Sequence, residues 1–139
     1  MKTVLAVAPA IALALVGIAA ATPLACASSC VIDAATTGYT TAVFDVQQGV
    51  PLVWHSTDIG HVQQEGVTGN SGCLGVPSFG GRDSAPVVFT IASGHLLASV
   101  NGAAADACVN AQALPDGSFA LPYFCEIHST MRGALVVSP

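Results

Sequence analysis

Near the end of this 139-residue chain, Cys125-Glu126-Ile127-His128-Ser129-Thr130-Met131 sets a thiol, an imidazole and a thioether at three-residue intervals. Soft sulfur combined with imidazole suits a copper ion that alternates between Cu(I) and Cu(II). Gly133 and the apolar run Ala134-Leu135-Val136-Val137 follow at once, so the spacing predicts a tight loop between two strands. Three donors leave one position open, because a blue-copper site takes two imidazoles and a thiolate, with a long axial thioether. His61 is the candidate for the second imidazole, since it opens a strand after the loop that follows Trp54-His55-Ser56-Thr57. His55 and His95 are the only other histidines.

Each of these residues also has an ordinary reading. A cysteine in a secreted chain is usually half of a disulfide, but five cysteines leave one over after any pairing, and Cys125 is the one with His and Met at ligand spacing. A methionine usually fills a core, yet Met131 is the only one besides the initiator. His55 beside Trp54 reads as structural or surface, and His95 as a strand or turn residue. Glu126 and Asp58 read as solvated charges rather than catalysts. Trp54, Phe44 and Phe89 read as core.

The elements that must position the loop are strands. Val31-Ile32-Asp33, Thr40 to Val46, Val50 to Trp54, His61 to Gln64, Val87 to Ile91, Leu96 to Val100, Phe119 to Cys125 and Ala134 to Val137 are short, rich in β-branched and aromatic residues, and separated by Gly, Ser, Asn and Asp. Ser93-Gly94 reads as the turn of a strand pair. Pro51 marks a strand start or an edge, and Pro122 an edge or a bulge. The Gly-rich stretch from Gly66 to Pro86 reads as loop, and a short helix is expected between Ala103 and Ala111. This pattern predicts an all-β, Greek-key β-sandwich of seven to eight strands.

Ahead of that domain, Met1-Lys2-Thr3 is followed by an apolar stretch to Ala21 that ends in small residues, the pattern of a secretory signal peptide. Residues 1–21 are expected to be removed and residues 22–139 to form one domain; Ala25-Cys26-Ala27 offers a second cleavage site, after Ala27. Pro23 stands where a lipoprotein cleavage site has an aliphatic residue. After cleavage, eight acids face Arg82 and Arg132 alone, a net charge of −6. That excludes nucleic acid, which is bound through Lys and Arg, and electrostatic docking on anionic lipid. No stable membrane association is expected, and a monomer is. With Cys125 set aside, Cys26, Cys30, Cys73 and Cys108 can pair in three ways. Cys73–Cys108 is favoured because both lie in long polar loops.

The stretch from Phe119 to Val137, with His61-Val62 upstream, resembles the copper loop of the cupredoxins, the blue-copper family of plastocyanin, amicyanin and halocyanin; the short Cys-x-x-His-x-x-Met form is similar to that of amicyanin. His61, Cys73 and the Phe79-Gly80-Gly81 region also resemble fungal secreted cupredoxin-like proteins. The resemblance implies a Greek-key sandwich with one type 1 copper held by His61, Cys125, His128 and Met131. It also implies outer-sphere electron transfer to a redox partner protein, outside the cell or in a periplasm. An apolar surface at His128 is implied too, to which Ile127 with Leu74 or Val76 would contribute. The separation of His61 from Cys125 is longer than in small bacterial members, which requires an insertion, in the Gly-rich loop and residues 101–117. With every coordination position filled, substrate has no open place, so no enzyme activity is expected. A laccase-like oxidase is excluded because the His-Cys-His run is absent: Phe124 and Glu126 flank Cys125. The alternatives are a copper buffer or delivery protein and a disulfide-stabilised binding module without metal.

Overall fold

The computed structural model describes residues 29–35, 38–39, 43–57, 61–65, 72–128 and 130–139, the side chains of 35, 38 and 61–65 excepted. These residues form strands β1 (Cys30–Ala35), β2 (Gly38–Tyr39), β3 (Val43–Gln47), β4 (Leu52–Ser56), β5 (His61–Glu65), β6 (Val76–Phe79), β7 (Arg82–Asp83), β8 (Val87–Ala92), β9 (His95–Val100), β10 (Asp106–Ala107), β11 (Gln112–Ala113), β12 (Phe119–Cys125) and β13 (Arg132–Ser138). The expected all-β sandwich is present, with more strands than the seven or eight anticipated. The excess comes from the two-residue segments β2, β7, β10 and β11 and from the four-residue β6; β6 and β7 lie within the Gly66–Pro86 stretch expected as loop, where β6 pairs with β5 and β7 with β4.

One sheet has the order β10-β9-β8-β4-β1-β2, with β7 also on β4; the other has the order β3-β13-β12-β5-β6, with β11 also on β12. Each contains one parallel pair, β1 with β4 and β3 with β13. The burial strings explain why these segments are strands. In β4 the residues Leu52, Trp54 and Ser56 point inward, and Val53 and His55 lie between them less buried. A side chain that alternates faces every residue can bury only such a period-two pattern. Phe44, Val46, Leu121, Tyr123, Leu135 and Val137 from one sheet meet Ile32, Leu52, Trp54, Val87, Phe89 and Leu96 from the other in a single core. Each large apolar side chain buried there stabilises the fold by roughly 1.5–3 kcal/mol. Trp54, Phe44 and Phe89 are core as expected.

Local chemistry sets the connections. Ser93 and Gly94 have φ of 51° and 74°, the two-residue turn whose twist matches the strands it joins. Pro51 precedes β4, and its carbonyl accepts the Cys30 N–H at 2.9 Å. Pro122 is neither at a sheet edge nor in a bulge. It pairs with Ala134 inside β12, whose other side is lined by β11 as far as Ala120 and by β5 from Tyr123 onward. The Cys125 N–H points to β13, so alternation aims the nitrogen of Pro122 the opposite way, toward the side where no described residue of β11 or β5 pairs with it. Among the described residues no ladder bond is lost there.

Residues 103–111 contain no helix. Asp106-Ala107 pairs with Leu97-Ala98, and the Cys108 N–H donates to the Leu96 carbonyl at 2.9 Å. Cys108 is bonded to Cys73, the pairing favoured from sequence. This bridge ties the segment entering β6 to the margin of the opposite sheet. Cys30 is also disulfide-bonded, its partner lying outside the described residues. Among the described residues no helix is long and apolar enough to cross a membrane. The signal segment 1–21 and Asp58 lie outside the described residues.

Candidate metal centre

Strands β12 and β13 run antiparallel in unbroken register from Phe119↔Val137 to Phe124↔Arg132. One further bond extends the ladder, the Cys125 N–H donating to the Met131 carbonyl at 3.0 Å. Cys125 and Met131 are therefore a directly opposed pair at the mouth of the loop 126–130. Their side chains share one face of the sheet, and both are buried, at 0% and 1% exposure. The Met131 N–H donates to the His128 carbonyl at 2.8 Å, a tight turn that folds the loop back over the pair. The outcome is a contact of 3.7 Å between Cys125 Sγ and His128 Nδ1, with His128 half-buried.

The chemistry of this donor set can be tested against a metal. Bonds of about 2.3 Å to thiolate and 2.0 Å to imidazole, as zinc forms, set sulfur and nitrogen about 3.5 Å apart at a tetrahedral angle. The observed 3.7 Å needs only a small closure. Among the described residues no three of His, Cys, Asp and Glu come together. The cluster is a thiol, an imidazole and a thioether, a donor set that favours copper over zinc or a hard cation. Three of the four proposed ligands are thus brought to one place by one loop.

The backbone of the fourth is placed by register. Gln63 pairs with Cys125, and His61 pairs with Phe79 on β6. His61 therefore opens the strand next to β12, at the end of the sheet where Cys125 lies. Its side chain lies outside the described part of the structure. His55 sits in the other sheet, its Nδ1 2.7 Å from Asp83 Oδ1. His95 is exposed beside the 93–94 turn. That turn is distant from the loop, because β8 meets β4 at Leu52↔Val87 and runs away from Ser56.

The expected apolar surface is smaller than the sequence suggested. Ile127 is 54% exposed in the loop, whereas Leu74 and Val76 are core, at 0% and 1%. Strand alternation and the adjacent disulfide carry both inward, so neither can face a partner. Glu126 is exposed.

Beneath the loop lies a pair that spacing did not single out, Tyr123 opposite Gly133. A Cβ on Gly133 would stand 2.5 Å from Tyr123 Cζ and 2.6 Å from its oxygen, so the ring lies flat across the glycine. Its centroid is 4.8 Å from that of Tyr39 and 5.4 Å from that of Trp54, the latter edge-on. The phenol oxygen and Trp54 Nε1 are both buried, and neither makes a hydrogen bond of good geometry among the described residues, although the Trp54 N–H is near enough to act on the phenol. Burial pushes the Tyr123 phenol well above the usual range, the neighbouring Trp54 N–H acting weakly in the opposite direction. The signal in the sequence was Tyr-x-Cys before the loop and Met-x-Gly after it.

Solved structures of amicyanin variants share this arrangement of strands. The chain matches a proline-to-glycine variant of amicyanin in its reduced Cu(I) form at pH 4, at 22% identity and TM-score 0.51, covering 81% of this chain and 85% of that one. It matches the Cu(I) form of a methionine-to-glutamine variant of amicyanin at 21% identity and TM-score 0.51, covering 80% and 83%. No protein-family model and no curated protein sequence matches the chain. At this level of identity the likeness establishes the fold, which is the cupredoxin β-sandwich.

Proposed function

We propose that this cupredoxin-fold chain is a secreted electron carrier that holds one type 1 copper through His61, Cys125, His128 and Met131. The observation that carries the reading is the buried Cys125–Met131 pair with His128 Nδ1 3.7 Å from the thiol. Bound there, copper would supply one-electron chemistry by alternating between its two oxidation states.

The chain's own residues account for the rest. Cys125 and Met131 lie at the ends of a continuous ladder, so their backbones cannot drift apart or together when charge at the site changes. Burial of both sulfurs keeps water from the thiolate and leaves the loop to shield it. His128 alone of the three is half-buried, so its ring edge is the short route between the site and a partner. Ile127 beside it offers an apolar contact that a redox partner protein can displace water from. The disulfides suit an oxidising compartment, in agreement with export through the segment 1–21. Four protein ligands leave no open position for a substrate, so the proposal includes no enzyme activity.

Loading with Cu(II) and recording the visible spectrum tests this reading. An intense thiolate-to-copper band that disappears in Cys125→Ser is the expected result. A colourless loaded protein would leave only a disulfide-stabilised binding module. Reversible voltammetry without loss of metal distinguishes a carrier from a delivery protein, which must release its cargo.

A further inference from the structure

We infer that Tyr123 and Gly133 are a positioning pair: the phenol ring lying across the glycine is the floor beneath Cys125 and Met131, and it fixes how closely thiol and thioether approach. Opposed residues of an antiparallel ladder share a face, and successive pairs alternate faces. Cys125 with Met131 is one inward pair; Phe124 with Arg132 falls on the opposite face; Tyr123 with Gly133 is the next inward pair. The ring thus occupies the layer directly under the two sulfurs. Only a residue without a Cβ leaves room for it, since that atom would sit 2.5 and 2.7 Å from two ring carbons, Cζ and Cε1, and 2.6 Å from the phenol oxygen. Trp54 and Tyr39 close two other sides at 5.4 and 4.8 Å, and Tyr123 is 1% exposed. A ring displaced from Gly133 has therefore to move along the strands or force them apart. Either changes the spacing of Cys125 from Met131.

The ring carbons Cζ and Cε1 are enough for this, since both already lie within 2.7 Å of where a Cβ on Gly133 would stand. Among the described residues the phenol oxygen has no hydrogen bond of good geometry, only the nearby Trp54 N–H, so removing it takes away a poorly satisfied buried polar group and leaves the ring carbons of the floor in place. The consequence at a metal rests on the copper reading above; the layering of the side chains does not.

The test uses Gly133→Ala, Tyr123→Leu and Tyr123→Phe in the full chain. In the Cu(II)-loaded protein, Gly133→Ala and Tyr123→Leu are expected to change the intensity ratio of the two sulfur-to-copper bands and to shift the reduction potential. Tyr123→Phe is expected to match the wild type in both. In the metal-free protein Trp54, the only tryptophan, reports the ring, and its emission is expected to shift in the first two variants. The inference is overturned if Gly133→Ala and Tyr123→Leu keep the wild-type band ratio and potential and merely unfold sooner. Where Gly133→Ala does not fold, Tyr123→Leu decides on the same readouts. A wild-type protein that stays colourless removes the copper reading instead. The rate at which the Cys125 thiol of the metal-free variants reacts with a thiol reagent then decides: an altered rate supports the positioning pair, and an unchanged one overturns it.

Discussion

Cys125 and Met131 stand directly opposite each other, the amide of the first bonded to the carbonyl of the second at 3.0 Å. The two sulfur residues of the loop are thus the last rung of a ladder that begins at Phe119↔Val137. A loop anchored in this way gains its precision from the sheet, and its intervening residues need only turn the His128 ring toward the thiol.

The histidines separate by position. His61→Ala is expected to abolish the blue band, because that residue opens the strand adjoining β12. His55→Ala and His95→Ala are expected to retain it, since one pairs with Asp83 on the other sheet and the other adjoins the distant turn. Visible spectra of the three Cu(II)-loaded variants check this, and the opposite pattern would overturn the choice of ligand.

Loss of the Cys73–Cys108 bridge should weaken the fold without touching the site. The bond joins residues 35 apart, and on the chain-entropy view it stabilises the native state by roughly 3–4 kcal/mol. The double variant Cys73→Ala/Cys108→Ala is expected to unfold at lower denaturant by that margin while its loaded form stays blue. An unchanged unfolding midpoint would show the strap to be energetically idle.

Tyr123 gives the stability a sign at high pH. Its folded-state pKa is raised, chiefly by burial, whereas the unfolded phenol ionises near its ordinary value of about 10. The contribution is complete below that value and is lost as pH rises above it, by about 1.4 kcal/mol per pH unit. Chemical denaturation between pH 9 and pH 11 should show a steeper fall in the wild type than in Tyr123→Phe, and equal slopes would contradict it.

The mature N-terminus is expected at Thr22. Cys30 is disulfide-bonded, Cys73 and Cys108 bond each other, and Cys125 is in no disulfide. Cleavage after Ala27 would leave one cysteine fewer in the mature chain and strand Cys30. Intact-mass measurement of the exported protein decides, and a terminus at Ser28 would refute the expected site.

Much of this molecule was legible in its sequence, for physical reasons that differ by region. The Cys-x-x-His-x-x-Met loop could be read because donor chemistry depends on residue type and local spacing alone. The Ser93-Gly94 turn could be read because its backbone conformation favours few residue pairs. Residues 103–111 misled, since an Ala-rich run carries helix propensity, and tertiary pairing of Asp106-Ala107 with β9 overrides it. Leu74 and Val76 misled as surface residues because a loop-like composition says nothing about which side chains a neighbouring disulfide draws inward. Tyr123 over Gly133 depends on register between strands, which spacing within one strand does not reveal.

Pro122 has a consequence for how such a chain tolerates change. Among the described residues it marks a seam on one flank of β12: the half toward Cys125 is wed to β5, while the half toward Phe119 is wed to β11 and the excursion around it. Segments grafted or trimmed on the far half need not perturb the near half. Architectural novelty can accumulate on one side of a single imino acid while the other side stays fixed.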